Sequence, residues 1–147
     1  MSKVNAIYHI VINTYQRQMT INNDHREDLY RFIWKLIINR KCVLYRIGGI
    51  PNHVHLLIDL HPEVPLSTLM RDIKQLSSKW AKQSGFFPQF IGWGKEYAAF
   101  TCQYSSKTTI IHYINNQQNH HKAITFETEF RSLFSYEGYA WKDEFLT

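Results

Sequence analysis

Cysteine is scarce in this chain. Cys42 and Cys102 are the whole complement, too few and too far apart for a disulfide framework or a Cys-x-x-Cys zinc site. Each sits in an apolar run, the setting of a buried free thiol, and free thiols fit a reducing compartment. Long hydrophobic runs are missing too. No segment approaches the roughly 20 apolar residues that span a bilayer. His9 and Asn13 interrupt the amino-terminal MSKVNAIYHIVINTYQRQ before it reaches signal-peptide form. The expectation is a cytoplasmic protein with no membrane association. A Gly-x-x-x-x-Gly-Lys-Ser/Thr loop is absent, so no nucleotide cofactor is expected. Neither repeats nor linkers break the sequence, which reads as one domain over residues 1–147.

What the chain does have is an ordinary globular composition over 147 residues, 44% hydrophobic and 20% charged, which excludes a disordered tail or a collagen-like fibre. Aromatic residues reach 15%, enough to serve both a core and stacking on planar ligands. The net charge is +5 and the pI about 9.2, a balance that favours an anionic partner. That charge is unevenly placed. Residues 1–122 carry 15 basic and 7 acidic side chains, whereas residues 123–147 carry 2 and 5. A basic body with an acidic tail suits a protein that faces phosphates, although a merely solvated basic surface would read the same.

Residues 4–14 are β-branched and aromatic and predict a first strand. Asn22 or Asn23 is placed to cap a helix running to Asn39, with Leu29, Phe32, Ile33, Leu36 and Ile37 at helical spacing. Strands are predicted over 42–50 and Val54–Leu60, joined by Gly48-Gly49-Ile50-Pro51-Asn52 as an antiparallel hairpin. Ser67 or Thr68 would cap a second helix through Gln83, with Leu69, Ile73, Leu76 and Trp80 on one face. A loop from Gly85 to Gly94 precedes a fourth strand, Tyr97–Tyr104. Ser105 or Ser106 then caps a helix reaching His120 or His121. The order β-α-β-β-α-β-α predicts an α+β fold: a ferredoxin-like or RRM-like antiparallel sheet with helices on one face and an additional C-terminal helix.

Two constellations carry candidate chemistry. In Pro51-Asn52-His53-Val54-His55-Leu56-Leu57, strand alternation projects His53 and His55 from one face, roughly 7 Å apart along the chain, so that two imidazoles can converge on one metal ion. In a chain with 8 histidines, this spacing also arises by chance. On the last helix Tyr113 and Gln117 are neighbours one turn apart, and His120 lies near them. Ile110, Ile111 and Ile114 form an adjoining apolar stripe that would pack on the sheet.

Together the His-x-His strand and the Tyr-x-x-x-Gln helix resemble the HUH single-tyrosine transposases of small bacterial insertion sequences, including the REP-associated tyrosine transposases. The resemblance spans nearly the whole chain. It includes Thr14 with Arg17, PNHVHLL, Ser77-Ser78-Lys79-Trp80, Tyr97-Ala98-Ala99-Phe100, Tyr113-Ile114-x-Asn116-Gln117-x-x-His120-His121 and Phe126-x-x-Glu129-Phe130. The chain departs from the family at Lys95-Glu96-Tyr97-Ala98-Ala99-Phe100, where a Gly-rich Gly-Tyr-Gly-Ala-Phe is common.

The resemblance implies a DNA strand transferase in which Tyr113 is the nucleophile and His53, His55 and Gln117 are ligands of Mg²⁺ or Mn²⁺. It also implies single-stranded or hairpin DNA as substrate, a 5′-phosphotyrosine intermediate and a homodimer, with the tyrosine helix docking in cis or in trans. Arg71, Lys74, Lys79 and Lys82, interleaved with Trp80 on the middle helix and followed by Phe86, Phe87, Phe90 and Trp93, are candidate DNA contacts. Three alternatives stand beside this reading: a related HUH nickase or replication endonuclease, a catalytically silent binder of single-stranded nucleic acid, and a metal-dependent hydrolase. The silent binder is weakened by the lack of an RNP1-like aromatic run. The hydrolase lacks a suitably placed carboxylate.

Overall fold

Four strands form one sheet in the order β2-β3-β1-β4: β1 (Ile7–Thr14), β2 (Val43–Ile50), β3 (His53–Asp59) and β4 (Trp93–Cys102). Every neighbouring pair runs antiparallel. With α1 (Arg26–Asn39) between β1 and β2, and α2 (Leu66–Ser84) between β3 and β4, the expected β-α-β-β-α-β order is obtained. A last helix, α3 (Lys107–Asn115), follows β4. The computed structural model describes residues 3–117. The expected extension of the last helix to His120 or His121, the Phe126–Phe130 motif and the acidic stretch lie outside the described residues.

The central strand β1 is buried on both faces because both faces of the sheet are covered. Its even positions Ile10 and Ile12 join Val54, Leu56 and Ile58 of β3 in the main core, into which α1 sends Leu29, Ile33 and Ile37 and α2 sends Leu69, Met70 and Ile73. Each such aliphatic side chain, fully withdrawn from water, contributes about 1.5–3 kcal/mol. Its odd position Ile7 faces the other way, packing with Leu57 of β3 and with Ile110 and Ile114 of α3. The apolar stripe expected on the last helix therefore does pack on the sheet. It does so on the face opposite α1 and α2.

Several expected boundaries shift for local reasons. Asn22 does not cap α1; its Oδ1 accepts the His25 N–H at 2.9 Å, organising the turn before a helix whose N-cap position is His25. α2 begins at Leu66 after Pro65, not after Ser67 or Thr68: Pro65 is extended with ψ 137°, and its carbonyl accepts the first helical bond from Leu69. α2 ends at Gly85, whose φ of 77° is the left-handed conformation that glycine adopts without steric cost. Leu76 faces solvent at 40% exposure and is no part of the core face. β4 starts at Trp93, four residues before the expected strand, with its register interrupted opposite Ile12 and Thr14. Edge strands tolerate the charged Lys95 and Glu96 that read as loop.

The β2–β3 hairpin is also tighter than expected. Ile50 pairs with His53, which leaves Pro51 and Asn52 as the turn and puts Gly48 and Gly49 inside β2. Gly48 has a packing reason to lack a side chain: a Cβ there would stand 2.9 Å from Ile114 Cγ2 and 3.0 Å from Ile114 O. α3 can lie on the sheet only because this position is bare. Gly48→Ala is expected to cost about 1–3 kcal/mol by overpacking. It should raise hydrogen-exchange rates of the α3 amides selectively, with those of α1 unchanged; uniform exchange would show that α3 docks independently of Gly48.

Candidate active site

The short Pro51–Asn52 turn is held in place before any functional side chain is considered. Pro51 O accepts the backbone N–H groups of Thr20 and Ile21 at 3.1 and 2.9 Å, and Asn52 O accepts the Thr14 N–H at 3.0 Å. The Thr14 hydroxyl donates to Gln18 O at 2.6 Å. Between Thr14 and Gln18 the backbone turns back through Gln16 and Arg17, at φ 50° and 56°. Those are left-handed values that non-glycine residues rarely adopt. Thr14 and Arg17, singled out in sequence, thus belong to the clamp that fixes the start of the histidine strand.

From that turn β3 sends His53 and His55 to the face covered by α3. Both are fully buried, at 0% and 2% exposure, and their ring centroids stand 5.0 Å apart. α3 brings its polar stripe onto them. Gln117, just past the helix and 1% exposed, places Oε1 3.2 Å from His53 Nε2. The half-buried Tyr113 ring lies edge-on to His55, with centroids 5.6 Å apart. The tyrosine, the glutamine and both histidines named from sequence therefore meet at one place on the sheet.

The donor chemistry of this cluster fits a cation. His53 Nδ1–H donates to Asn52 Oδ1 at 2.7 Å. A carbonyl oxygen only accepts, so with Asn52 Oδ1 as its partner a neutral His53 would carry its proton on Nδ1 and a lone pair on Nε2. That lone pair faces Gln117 Oε1, itself an acceptor. Two ligands about 2.1 Å from a cation on adjacent corners of an octahedron stand about 3.0 Å apart, close to the observed separation. A half-turn of the Gln117 amide would instead offer an N–H to the same lone pair, which satisfies the pair when no cation is bound. Among the described residues no group of three or more His, Cys, Asp or Glu side chains gathers as a metal site. A cation here would take the Gln117 amide as a third protein donor.

Two residues of this site were not singled out by sequence reasoning. His9, 1% exposed, shares a hydrogen bond with His55 through Nε2 and Nδ1 at 2.9 Å, and its ring lies 6.0 Å from that of Tyr113. Asn52 orients His53 as described. A signal for His9 existed: the odd positions of β1, Ile7, His9, Val11 and Asn13, place two polar side chains on one face of an otherwise apolar strand.

The basic residues lie elsewhere. Lys74, Lys79 and Lys82 of α2, with Lys95 of β4, line an open groove of about 640 Å³ floored by Gly92 and Trp93. Lys74 Nζ donates to Lys95 O at 2.8 Å. Burial pushes its ammonium below the ordinary lysine value, against the pull of Glu96. Arg71 is paired with Asp72 at 3.5 Å. Trp80 does not interleave with the lysines: it stacks on Phe32 of α1 at 5.2 Å, and Trp93 is the aromatic residue of the groove. Phe87 and Phe90 are buried core, while Phe86 is exposed and stacks on His25 at 4.0 Å. Ser77 is structural, its Oγ accepting the Trp93 indole N–H at 2.9 Å. Among the described residues no helix is long and apolar enough to cross a membrane, and both cysteines are free thiols.

The fold is shared with transposases of known structure. A candidate transposase from Deinococcus radiodurans R1 is similar at TM-score 0.63 and 20% identity, over 79% of this chain and 93% of that one. A REP-associated tyrosine transposase solved with a REP hairpin is similar at TM-score 0.62 and 15% identity, over 84% and 76%. At these identities the likeness is one of fold. No curated protein matches the chain. A family model described as "Transposase IS200 like" matches residues 2–117, most of the sequence, and the chain belongs to that family. It is thus a member of a class of enzymes that cut and transfer DNA strands.

Proposed function

We propose that this IS200-like transposase cleaves and rejoins single-stranded DNA through a covalent bond to Tyr113, with Mg²⁺ or Mn²⁺ held by His53, His55 and Gln117. The observation that carries the reading is the meeting of α3 with β3: Gln117 Oε1 at 3.2 Å from His53 Nε2, on the same helical stripe as a tyrosine ring 5.6 Å from His55. A divalent cation bound there would supply positive charge to the non-bridging oxygens of the scissile phosphate as the transition state forms.

The chain's own residues do the rest. Tyr113, with its proton removed, attacks phosphorus; the Oη–P bond forms as the P–O3′ bond breaks. The 5′-phosphate is left on the tyrosine, and the departing 3′ oxygen takes up a proton. One phosphoester replaces another, so a second 3′-OH can reverse the step without nucleotide hydrolysis. Two neutral imidazoles and a neutral amide leave the cation's charge undiminished. Tyr113 lies in the last turn of α3 and Gln117 just beyond its Asn116 C-cap, so the end of one helix positions both nucleophile and ligand. The burial of His53 and His55 strengthens every electrostatic interaction they take part in.

The substrate in this reading is a DNA hairpin with flanking single strand, for which the lysine groove provides phosphate contacts. The likeness in fold to a transposase solved on a REP hairpin supports that choice. The protein is proposed to act as one catalytic domain and as a homodimer.

The test is incubation of the protein with labelled hairpin DNA and Mn²⁺, followed by denaturing electrophoresis. A protein–DNA adduct that survives denaturation, and disappears with chelator, is expected; no adduct with any single-stranded or hairpin substrate would overturn the reading. Binding should also weaken as salt rises. Lys79→Gln together with Lys82→Gln is expected to lower the slope of log affinity against log salt by about 0.7–0.9 per lysine. An unchanged slope would remove the groove from the DNA path.

A further inference from the structure

His9 stands outside the ligand set yet is as deeply buried as its members, at 1% exposure. It lies diagonally across the β1–β3 ladder from His55: His9 pairs with Leu57, and Val11 pairs with His55. The diagonal brings the rings to a centroid separation of 5.2 Å at an interplanar angle of 34°. His9 Nε2 and His55 Nδ1 meet at 2.9 Å. Between two neutral imidazoles one ring must donate and the other accept, and the direction decides which nitrogen of His55 keeps its lone pair.

We propose that His9 is a positioning residue that accepts the His55 Nδ1–H. It thereby fixes the tautomer in which His55 turns a lone pair on Nε2 toward the space shared with His53, Gln117 and Tyr113. The inference rests on the reading of His53 and His55 as cation ligands and deepens it. His53 supplies the parallel: its Nδ1–H is taken by Asn52 Oδ1 at 2.7 Å, which leaves Nε2 for a ligand. With His9 accepting, the two rings of the pair are matched, both protonated on Nδ1 and both with their lone pair on Nε2. In the opposite direction His55 would carry its proton on Nε2 and could not ligate through that atom. A carbonyl or carboxylate usually accepts the distal N–H of a metal-bound imidazole; here a third imidazole does so, from the neighbouring strand of the same sheet.

Position 9 also suits the task sterically. It lies on β1 opposite both Leu57 and Phe100 and is 1% exposed. A glutamine at this position can bring its amide oxygen to the place of the imidazole Nε2. Leucine fills similar space and accepts nothing.

The experiment compares the wild-type chain with His9→Gln and His9→Leu at a pH where imidazoles are neutral. Nitrogen-15 NMR of the metal-free proteins should show His55 protonated on Nδ1 in the wild type and in His9→Gln, and a mixture of tautomers in His9→Leu. Mn²⁺ titration followed by electron paramagnetic resonance should show affinity reduced by about 10–100-fold in His9→Leu, with most of that loss recovered in His9→Gln. His55 protonated on Nε2 in the wild type would overturn the proposal, as would equal Mn²⁺ affinity in all three proteins. Should wild type fail to bind Mn²⁺ while His55 still carries its proton on Nδ1, the ligand reading fails and the hydrogen-bond direction stands. Should His9→Leu be too unstable to assay, His9→Gln carries the decision: a His55 tautomer differing from wild type there would overturn the role assigned to His9.

Discussion

Tyr113→Phe is expected to abolish the covalent protein–DNA adduct, a fall of at least about 10⁴-fold, as befits removal of a nucleophile. Hairpin affinity should stay close to that of the wild type. The substitution deletes one oxygen and keeps the ring that lies against His9 and His55, so the α3 contacts and the melting temperature should change little. That separation of effects is what makes the variant informative. A residual adduct of normal yield would move the nucleophile to another side chain. Loss of binding together with loss of adduct would mean that the phenol serves DNA recognition. Nearby substitutions of Ile110 or Ile114 do not share this property, since both are buried against Ile7 and Leu57 and their truncation would loosen the helix.

Much of this arrangement is legible in the amino-acid order, and what is not has identifiable causes. Strand alternation put His53 and His55 on one face, and helical spacing put Tyr113 beside Gln117, because both periodicities are properties of the backbone. The meeting of the two elements is a tertiary fact, set by the bare surface of Gly48 under Ile114, and no local pattern announces it. A single histidine in VNAIYHIVINT reads as an interruption of an apolar run. Only the β1–β3 register turns it toward His55. Trp80 carries two signals, the apolar face it shares with Leu69 and Ile73 and its place among lysines; the first prevails, since the helix turns it onto Phe32, while Trp93, read as loop, lines the groove. The start of β4 is hidden in the sequence because charged residues at a sheet edge are indistinguishable from loop until their backbone partners are known.

The second large effect is expected from the ligand set and should be strongly non-additive. His53→Ala removes a ring that joins Asn52 on one side to Gln117 on the other, through contacts of 2.7 and 3.2 Å. Loss of cation stabilisation worth several kcal/mol corresponds to about 10²–10³-fold in cleavage rate. Gln117→Ala should cost less, on the order of tenfold to a hundredfold, because water can occupy a vacated oxygen position on Mg²⁺ or Mn²⁺ more readily than it replaces an imidazole. In the double variant the losses should fall well short of the product of the two, since both side chains act on the same ion. Mn²⁺ concentration provides the internal check: raising it should restore part of the Gln117→Ala rate and little of the His53→Ala rate. Independent, multiplicative losses would mean that His53 and Gln117 serve different steps. The 3.2 Å contact between them would then be packing rather than shared ligation. Cleavage unaltered in His53→Ala would remove the paired imidazoles from the mechanism altogether.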